Sequence, residues 1–292
     1  MFKNVEDLYF LCKHRLLISE KQLKEFIDTK LENVKCITCI IAMNPIKTTP
    51  LKIQYRCKNC QKKITLNRLN SSFKSYNIIN VINFLFYFSV GINASEISIL
   101  SDIPSHQVYK FLTEIQRLIY YHEGTNRKMI GGVGLHVEID ESQVGKRKNN
   151  VGRLRNHKII FGGICRENKD IFMEIVDDKS RDTLGREIIS NIQPGTTVLT
   201  DQWSSYMSFF SNQDIYCHNF VNHSTNFVDP IDGTHTQTIE SLWSAFKKFK
   251  RKHGYSRQNL LHLYISEFKM RRRFKDQTES SLRIFKYLLN II

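Results

Sequence analysis

Thr238–Lys252 (TIESLWSAFKKFKRK) places Ile239, Leu242, Trp243, Phe246 and Phe249 at the spacing of an α-helix of about 3.6 residues per turn, so one apolar stripe is directed at a core. Glu240 falls at the edge of that stripe. Ser244, Lys247 and Arg251 follow it along the same flank, which presents a single carboxylate beside a basic row. A lone helix carboxylate is ordinarily a solvated residue, and what gives this one meaning is the pair of aspartates upstream.

In Gly134–Asp140 (GLHVEID), Leu135, Val137 and Ile139 alternate with His136 and Glu138, the pattern of a half-buried strand closing on Asp140. Thr196–Asp201 (TTVLTD) is a β-branched run closing on Asp201 and introduced by Pro194 and Gly195. Two strand-terminal aspartates and one helix glutamate can converge at one end of a sheet. Such a cluster repels itself unless a cation neutralises it. Oxygen-only ligands select hard cations, Mg²⁺ or Mn²⁺, and a two-metal site suits in-line displacement at phosphorus. The bland reading of each carboxylate, a strand-end cap or a surface charge, stands beside this one.

The chain is 292 residues long, enough for about two domains with a sizeable core, and 41% hydrophobic. Lys+Arg number 43 against 28 Asp+Glu, a net charge of +15, which points to a polyanionic partner. No apolar run approaches the roughly 18 residues of a membrane span, and the N-terminus lacks a charged-then-apolar leader, so an intracellular protein with no membrane partner is expected.

Cys36 and Cys39 form one C-x-x-C pair and Cys57 and Cys60 another, with 17 residues between them. Two such knuckles can place four thiolates around one tetrahedral Zn²⁺, with the intervening segment folded as a hairpin: a zinc ribbon. Four protein ligands leave no open coordination position, so this zinc is structural. Cys12, Cys165 and Cys217 are read as buried free thiols.

After a basic stretch from Lys62 to Lys74, Ile78–Val90 is nearly all apolar and is expected to be a buried helix. Asn93 or Ser95 can cap a second helix reaching Leu100, and Ser105 can cap a third. In the third, Val108, Phe111, Leu112, Ile115, Leu118 and Ile119 face inward, while Gln107, Lys110, Thr113 and Arg117 face out. This is the order of a helix-turn-helix whose last helix enters a major groove, with Gln107, Lys110 and Arg117 as DNA-contact candidates. A trihelical bundle that binds nothing is the plain alternative.

Residues 122–132 (HEGTNRKMIGG) read as a linker. Beyond it come three strands, ending at Asp140, over His157–Arg166 and over Ile171–Val176. Helix Thr183–Ile192, the strand to Asp201, helix Trp203–Phe210, strand Ile215–Val221 and the helix of Glu240 follow. Three consecutive strands followed by alternation make a mixed α/β sheet in the order of a ribonuclease H-like fold. The expected divisions are a helical segment over 1–30, the ribbon over 31–75, the helix-turn-helix over 76–122, the ribonuclease H-like domain over 123–275 and a helical tail over 276–292.

Positive charge concentrates after Asp140 in Lys146, Arg147, Lys148, Arg153, Arg155 and Lys158, where phosphates flanking a scissile bond would lie. Lys247, Lys248, Lys250, Arg251 and Lys252, then Arg271, Arg272 and Arg273, continue the basic surface. The run Lys247–His253 also has the composition of a nuclear import signal, which places a eukaryotic version in the nucleus and a bacterial one in the cytoplasm or nucleoid.

These motifs resemble a known family. DESQVGKRKNNVGRL from Asp140, TDQWSSY around Asp201 and THTQTIESLW around Glu240 are similar to the DDE transposases of the Merlin superfamily, relatives of the ISXO-like bacterial insertion sequences. YRCKNCQKKITL and the helices after it resemble the same family's zinc ribbon and helix-turn-helix. At Leu66–Phe73 (LNRLNSSF) the chain departs from relatives, which tend to carry a Gly-Thr pair.

The resemblance implies a catalytic triad of Asp140, Asp201 and Glu240 holding two Mg²⁺ (or Mn²⁺), a basic residue at Lys247, and His235 as a DNA-contact candidate. It further implies double-stranded DNA as partner, both transposon ends and target, and at least a homodimer, since two ends must be held together. Trp203 and Tyr206 are read either as packing residues or as platforms for flipped bases. The competing functional readings are a non-cutting, sequence-specific DNA-binding protein and a metal nuclease without strand transfer.

Overall fold

The computed structural model describes residues 5–13, 36, 38–48, 52–67, 77–101, 103–144, 158–201, 204–221, 236–275 and 277–291. The chain divides into two compact units, one of Met1–Leu118 with Phe274–Ile292 and one of Ile119–Arg273.

In the first unit, helix α1 (Val5–Lys13) precedes a three-stranded antiparallel sheet of β1 (Asn44–Thr48), β2 (Lys52–Arg56) and β3 (Lys63–Asn67). The hairpin expected between the cysteine pairs is β1–β2, and β3 extends it beyond the second pair. Each pair sits in the same backbone knuckle. Ile40 N–H donates to Cys36 O at 2.8 Å and Gln61 N–H to Cys57 O at 3.2 Å, and the residue after each second cysteine, Ile40 or Gln61, is left-handed at φ 59° or 58°. A non-glycine residue there is strained, and the strain persists because the surrounding turn fixes it.

Helices α2 (Ile78–Ser89), α3 (Ala94–Leu100) and α4 (Ser105–Thr125) follow the ribbon, and α9 (Ser280–Ile291) returns at the C-terminal end. The nearly continuous apolar sequence of α2 is explained by contact on several sides: Phe86 meets Tyr9 of α1 and Phe285 of α9, and Phe84 meets Phe111 of α4 at 5.5 Å between ring centres. Asn93, not Ser95, caps α3, through a reciprocal capping box with Glu96. Ser105 is the first helical residue of α4 and not its cap; Gln107 and Val108 donate to the carbonyl of Pro104. The inward stripe of α4 includes one polar residue the periodicity did not predict, Gln116, which is buried. At its other end α4 continues through His122–Thr125 of the stretch read as a linker. The side chains of Thr125 and Asn126 bond back to His122 O and close this last turn.

In the second unit, β4 (His136–Val144), β5 (Lys158–Cys165), β6 (Ile171–Val176), β7 (Thr197–Asp201) and β8 (Cys217–Val221) form one sheet in the order β6-β5-β4-β7-β8. β4–β5 and β5–β6 are antiparallel, while β4–β7 and β7–β8 are parallel. That mixed order is the ribonuclease H-like arrangement. Helices α5 (Arg181–Asn191) and α6 (Ser204–Phe210) join the parallel strands, and α7 (Gln237–Lys252) and α8 (Leu261–Phe274) complete the unit.

One sheet face buries Val137, Ile139 and Phe161 against Leu184 and Ile188 of α5 and Tyr206 of α6. The other is covered by α7, whose Ile239, Leu242, Trp243 and Phe246 are buried as the helical stripe requires. Burying each such side chain stabilises the fold by about 2 kcal/mol. Phe246 and Phe249 also pack on Phe268 of α8.

Two expectations are corrected here. Asp140 does not end its strand: β4 runs on to Val144, because β5 continues to pair with it as far as Val144↔Lys158. Cys217 is exposed on an edge strand, whereas Cys12 and Cys165 are buried as expected.

Candidate active site

Alternation along β4 aims residues 138, 140 and 142 at the face that α7 covers and residues 137 and 139 at the core beneath α5 and α6. Asp140 therefore faces α7. The parallel register, with Glu138 beside Leu199, carries forward to set Asp140 level with Asp201, the last residue of β7. Glu240 lies in the first turn of α7. Asp140, Asp201 and Glu240, with Ile139 and Thr236, line one cavity of about 140 Å³. The fold thus brings together three carboxylates that are far apart in sequence.

The cavity is electrostatically uncomfortable for an anion. Burial pushes the Asp140 carboxyl up to about 6, and the neighbouring Glu141 and Asp201 carboxylates act in the same direction. The indole of Trp243 works against them, donating from Nε1 to Asp140 Oδ2 at 2.9 Å. Trp243 reaches that oxygen because Gly162 stands opposite Asp140 in the register and has no side chain: a Cβ there would lie 2.7 Å from the indole Cη2. The apolar stripe marked Trp243 only as core, and its polar handle was not legible.

Two further acids of β4 bind neighbouring elements, Glu138 the helix that carries Glu240 and Glu141 the helix that follows Asp201. Glu138, expected on a solvated face, is fully buried. Its Oε1 accepts from Arg166 Nε at 2.6 Å, and its Oε2 accepts from the backbone N–H of Ile239 at 2.9 Å, in the first turn of α7. Glu141, on the opposite face, accepts from the hydroxyl of Tyr206 on α6 and pairs with Lys179 Nζ at 2.9 Å. Tyr206 is thus a packing residue held by a hydrogen bond. Trp203 lies outside the described residues.

Of the basic candidates, Lys247 and Arg251 are exposed on α7, continuing the flank of exposed Glu240 and Ser244 as the helical spacing predicts. Lys146, Arg147, Lys148, Arg153, Arg155 and His235 lie outside the described residues. Lys110 and Arg117 are exposed on α4, Arg117 beside Glu114 at 2.8 Å, and Gln107 is half-buried. Arg271 is a correction among the C-terminal arginines: it is committed to fully buried Glu267 at 2.7 Å, whereas Arg273 pairs with Glu123 at 2.9 Å and stays exposed.

In the ribbon, the four sulfurs of Cys36, Cys39, Cys57 and Cys60 lie within 4.8 Å of one another, with Cys36 and Cys60 at 3.6 Å. A tetrahedral Zn²⁺ with bonds of about 2.3 Å separates its sulfurs by roughly 3.8 Å, so the cluster fits that ion.

Residues 129–273, which contain all three carboxylates, match the ISXO2-like transposase domain. This part of the chain belongs to that family. The transposase domain begins at the end of the α4 connection and ends with α8. No curated protein matches the chain. Among solved structures, it is similar to the simian T-cell lymphotropic virus intasome in complex with PP2A regulatory subunit B56 gamma, at 10% identity and a TM-score of 0.31, covering 64% of this chain and 65% of that one. It is also similar to the HTLV-2 integrase catalytic core domain in complex with magnesium, in trimeric form, at 7% identity and a TM-score of 0.30, covering 49% of this chain and 88% of that one. At those scores neither adds to what the strand order of the transposase domain establishes.

Proposed function

We propose that the chain is a DNA transposase that cuts at the ends of a mobile element and joins them to target DNA, with Asp140, Asp201 and Glu240 as its catalytic carboxylates. The observation that carries this reading is the meeting of those three residues at one cavity of a transposase domain. The donor set is all oxygen, and a cation would offset the burial and the neighbouring carboxylates that disfavour the ionised form of Asp140. Asp140, Asp201 and Glu240 would hold Mg²⁺ or Mn²⁺, two ions in all, which when bound activate the attacking oxygen and stabilise the leaving one.

The protein's own part is positioning. Trp243, on α7, fixes the Asp140 carboxylate by donating to Oδ2. Water is the nucleophile at the element's end, and the freed 3′-hydroxyl is the nucleophile at the target. No covalent protein intermediate is required. Lys247 and Arg251, on the flank of α7 that leads away from Glu240, would bind backbone phosphates, as would Lys146, Arg147, Lys148, Arg153, Arg155 and His235. Gln107, Lys110 and Arg117 of α4 would face the terminal-repeat duplex. The ribbon cysteines would hold one structural Zn²⁺. Handling two ends at once calls for at least a homodimer.

The test is a cleavage and strand-transfer assay with Mg²⁺ or Mn²⁺ on duplexes copied from the inverted repeats flanking the gene, with Asp201→Asn alongside. Joined products that disappear in the variant are expected. Tight repeat binding with no cutting by the unaltered protein would overturn the reading in favour of a non-cutting DNA-binding protein.

A further inference from the structure

Thr236, at the N-cap position of α7, makes no side-chain capping bond to this helix. The group that closes it comes from β4. Glu138 is fully buried, and its Oε2 accepts the Ile239 N–H across a sequence separation of 101 residues. Its other oxygen is held by Arg166, which fixes the rotamer from the far side and balances the charge.

This placement has a specific consequence. Glu240 is the residue after Ile239 and belongs to the same first turn, where Ile239 alone is buried, while Leu242, Trp243 and Phe246 anchor the helix further along. The body of α7 therefore stays on the sheet without Glu138. Its first turn keeps only the burial of Ile239, and the Ile239 amide beside Glu240 loses its acceptor. Glu138 also stands two residues before Asp140 on the same face of the same strand. One rigid strand thus carries Asp140 and, through Glu138, sets where the backbone of Glu240 lies.

We propose that Glu138 is a positioning residue, a buried carboxylate that caps α7 from the sheet and so fixes the spacing between Asp140 and Glu240. This rests on the reading of Asp140, Asp201 and Glu240 as one cation-holding site. Glu138 itself touches no reacting atom; it acts through the Ile239 amide. Its charge matters as well as its shape, because a carboxylate at a helix N-terminus gains from the helix dipole and a neutral amide gains much less.

The experiment uses the full chain with Glu138→Gln, read by amide hydrogen exchange and by Mn²⁺ titration. Exchange over residues 237–241 is expected to quicken about tenfold, with the C-terminal half of α7 and all of α5 unchanged. Mn²⁺ affinity is expected to fall about tenfold as Glu240 loses its place. Glu138→Gln leaves Arg166 without its carboxylate, so the double variant Glu138→Leu/Arg166→Leu, which removes both buried charges, guards against simple unfolding. It must show the same local loss of protection. Unchanged exchange over 237–241 in the double variant, or a uniform rise across the domain, would overturn the proposal. If the unaltered protein takes up no Mn²⁺, the cation-site reading fails by itself, and the exchange pattern still decides whether Glu138 caps α7.

Discussion

Trp243 Nε1 donates to Asp140 Oδ2 at 2.9 Å, so an indole one turn beyond Glu240 grips the carboxylate at the centre of the sheet. The bond joins α7 to β4 within the cavity itself. It favours the ionised form of Asp140 against the burial that opposes it. Trp243→Phe keeps the apolar ring and deletes the donor. The Asp140 carboxyl is then expected to rise further above 6, moving the pH midpoint of Mn²⁺ binding upward and weakening binding about tenfold at pH 7. An unchanged midpoint would show that the bond has no role in the site.

The same carboxyl predicts a pH-dependent stability. Its folded-state value, about 6, lies above the ordinary 3.8, so the favourable contribution is present below the ordinary value and is lost as the pH rises through about 6. Without added divalent cation, Asp140→Asn should therefore be more stable than the unaltered protein at pH 7, by about 1–3 kcal/mol, and equal to it near pH 4. Mg²⁺ should raise the melting temperature of the unaltered protein at pH 7 and leave that of the variant nearly where it was. Parallel melts at the two pH values, without chelator, measure both effects.

Gly162→Ala tests the packing that admits the indole. The added Cβ would stand 2.7 Å from Trp243 Cη2 and 3.1 Å from the Phe172 carbonyl oxygen. Neither neighbour has room to withdraw: one is the ring held by Asp140 and the other is strand backbone. A loss of about 1–3 kcal/mol is expected in denaturant melts, together with weaker Mn²⁺ binding. A fully stable variant with normal cation affinity would mean that the ring is not seated on the sheet as described.

For the ribbon, the expected result is about one Zn²⁺ per chain by elemental analysis, with none retained by Cys57→Ser. Because ion binding and folding are coupled in so small a sheet, that variant should lose the β1–β3 amide protection while the transposase domain melts as before. A folded, metal-free ribbon would refute the zinc assignment.

Much of the fold was legible because it rests on local periodicity. The stripe of α7, the alternation into Asp140, the β-branched run into Asp201 and the two cysteine knuckles are short-range patterns, and the elements they predict are present. What failed did so for non-local reasons. Asp140 was placed at a strand end because residues 141–144 do not alternate between apolar and polar, yet β5 extends the ladder beyond them. Arg271 read as basic surface because charge in a sequence carries no record of a buried partner such as Glu267.

Sequence by itself determined which residue types are available: three carboxylates in oxygen-ligand chemistry, four thiols in zinc spacing, and a basic surplus for a polyanion. Tertiary structure alone decided how the carboxylates are held. Glu138 reads as solvated from its place in an alternating strand, and it becomes the cap of a helix a hundred residues away only because α7 covers that face. Glu141 and Trp243 acquire their partners in the same way. Side-chain alternation fixes which face a residue occupies, but only the packing of a distant element decides whether that face meets water, an arginine or an unsatisfied helix amide.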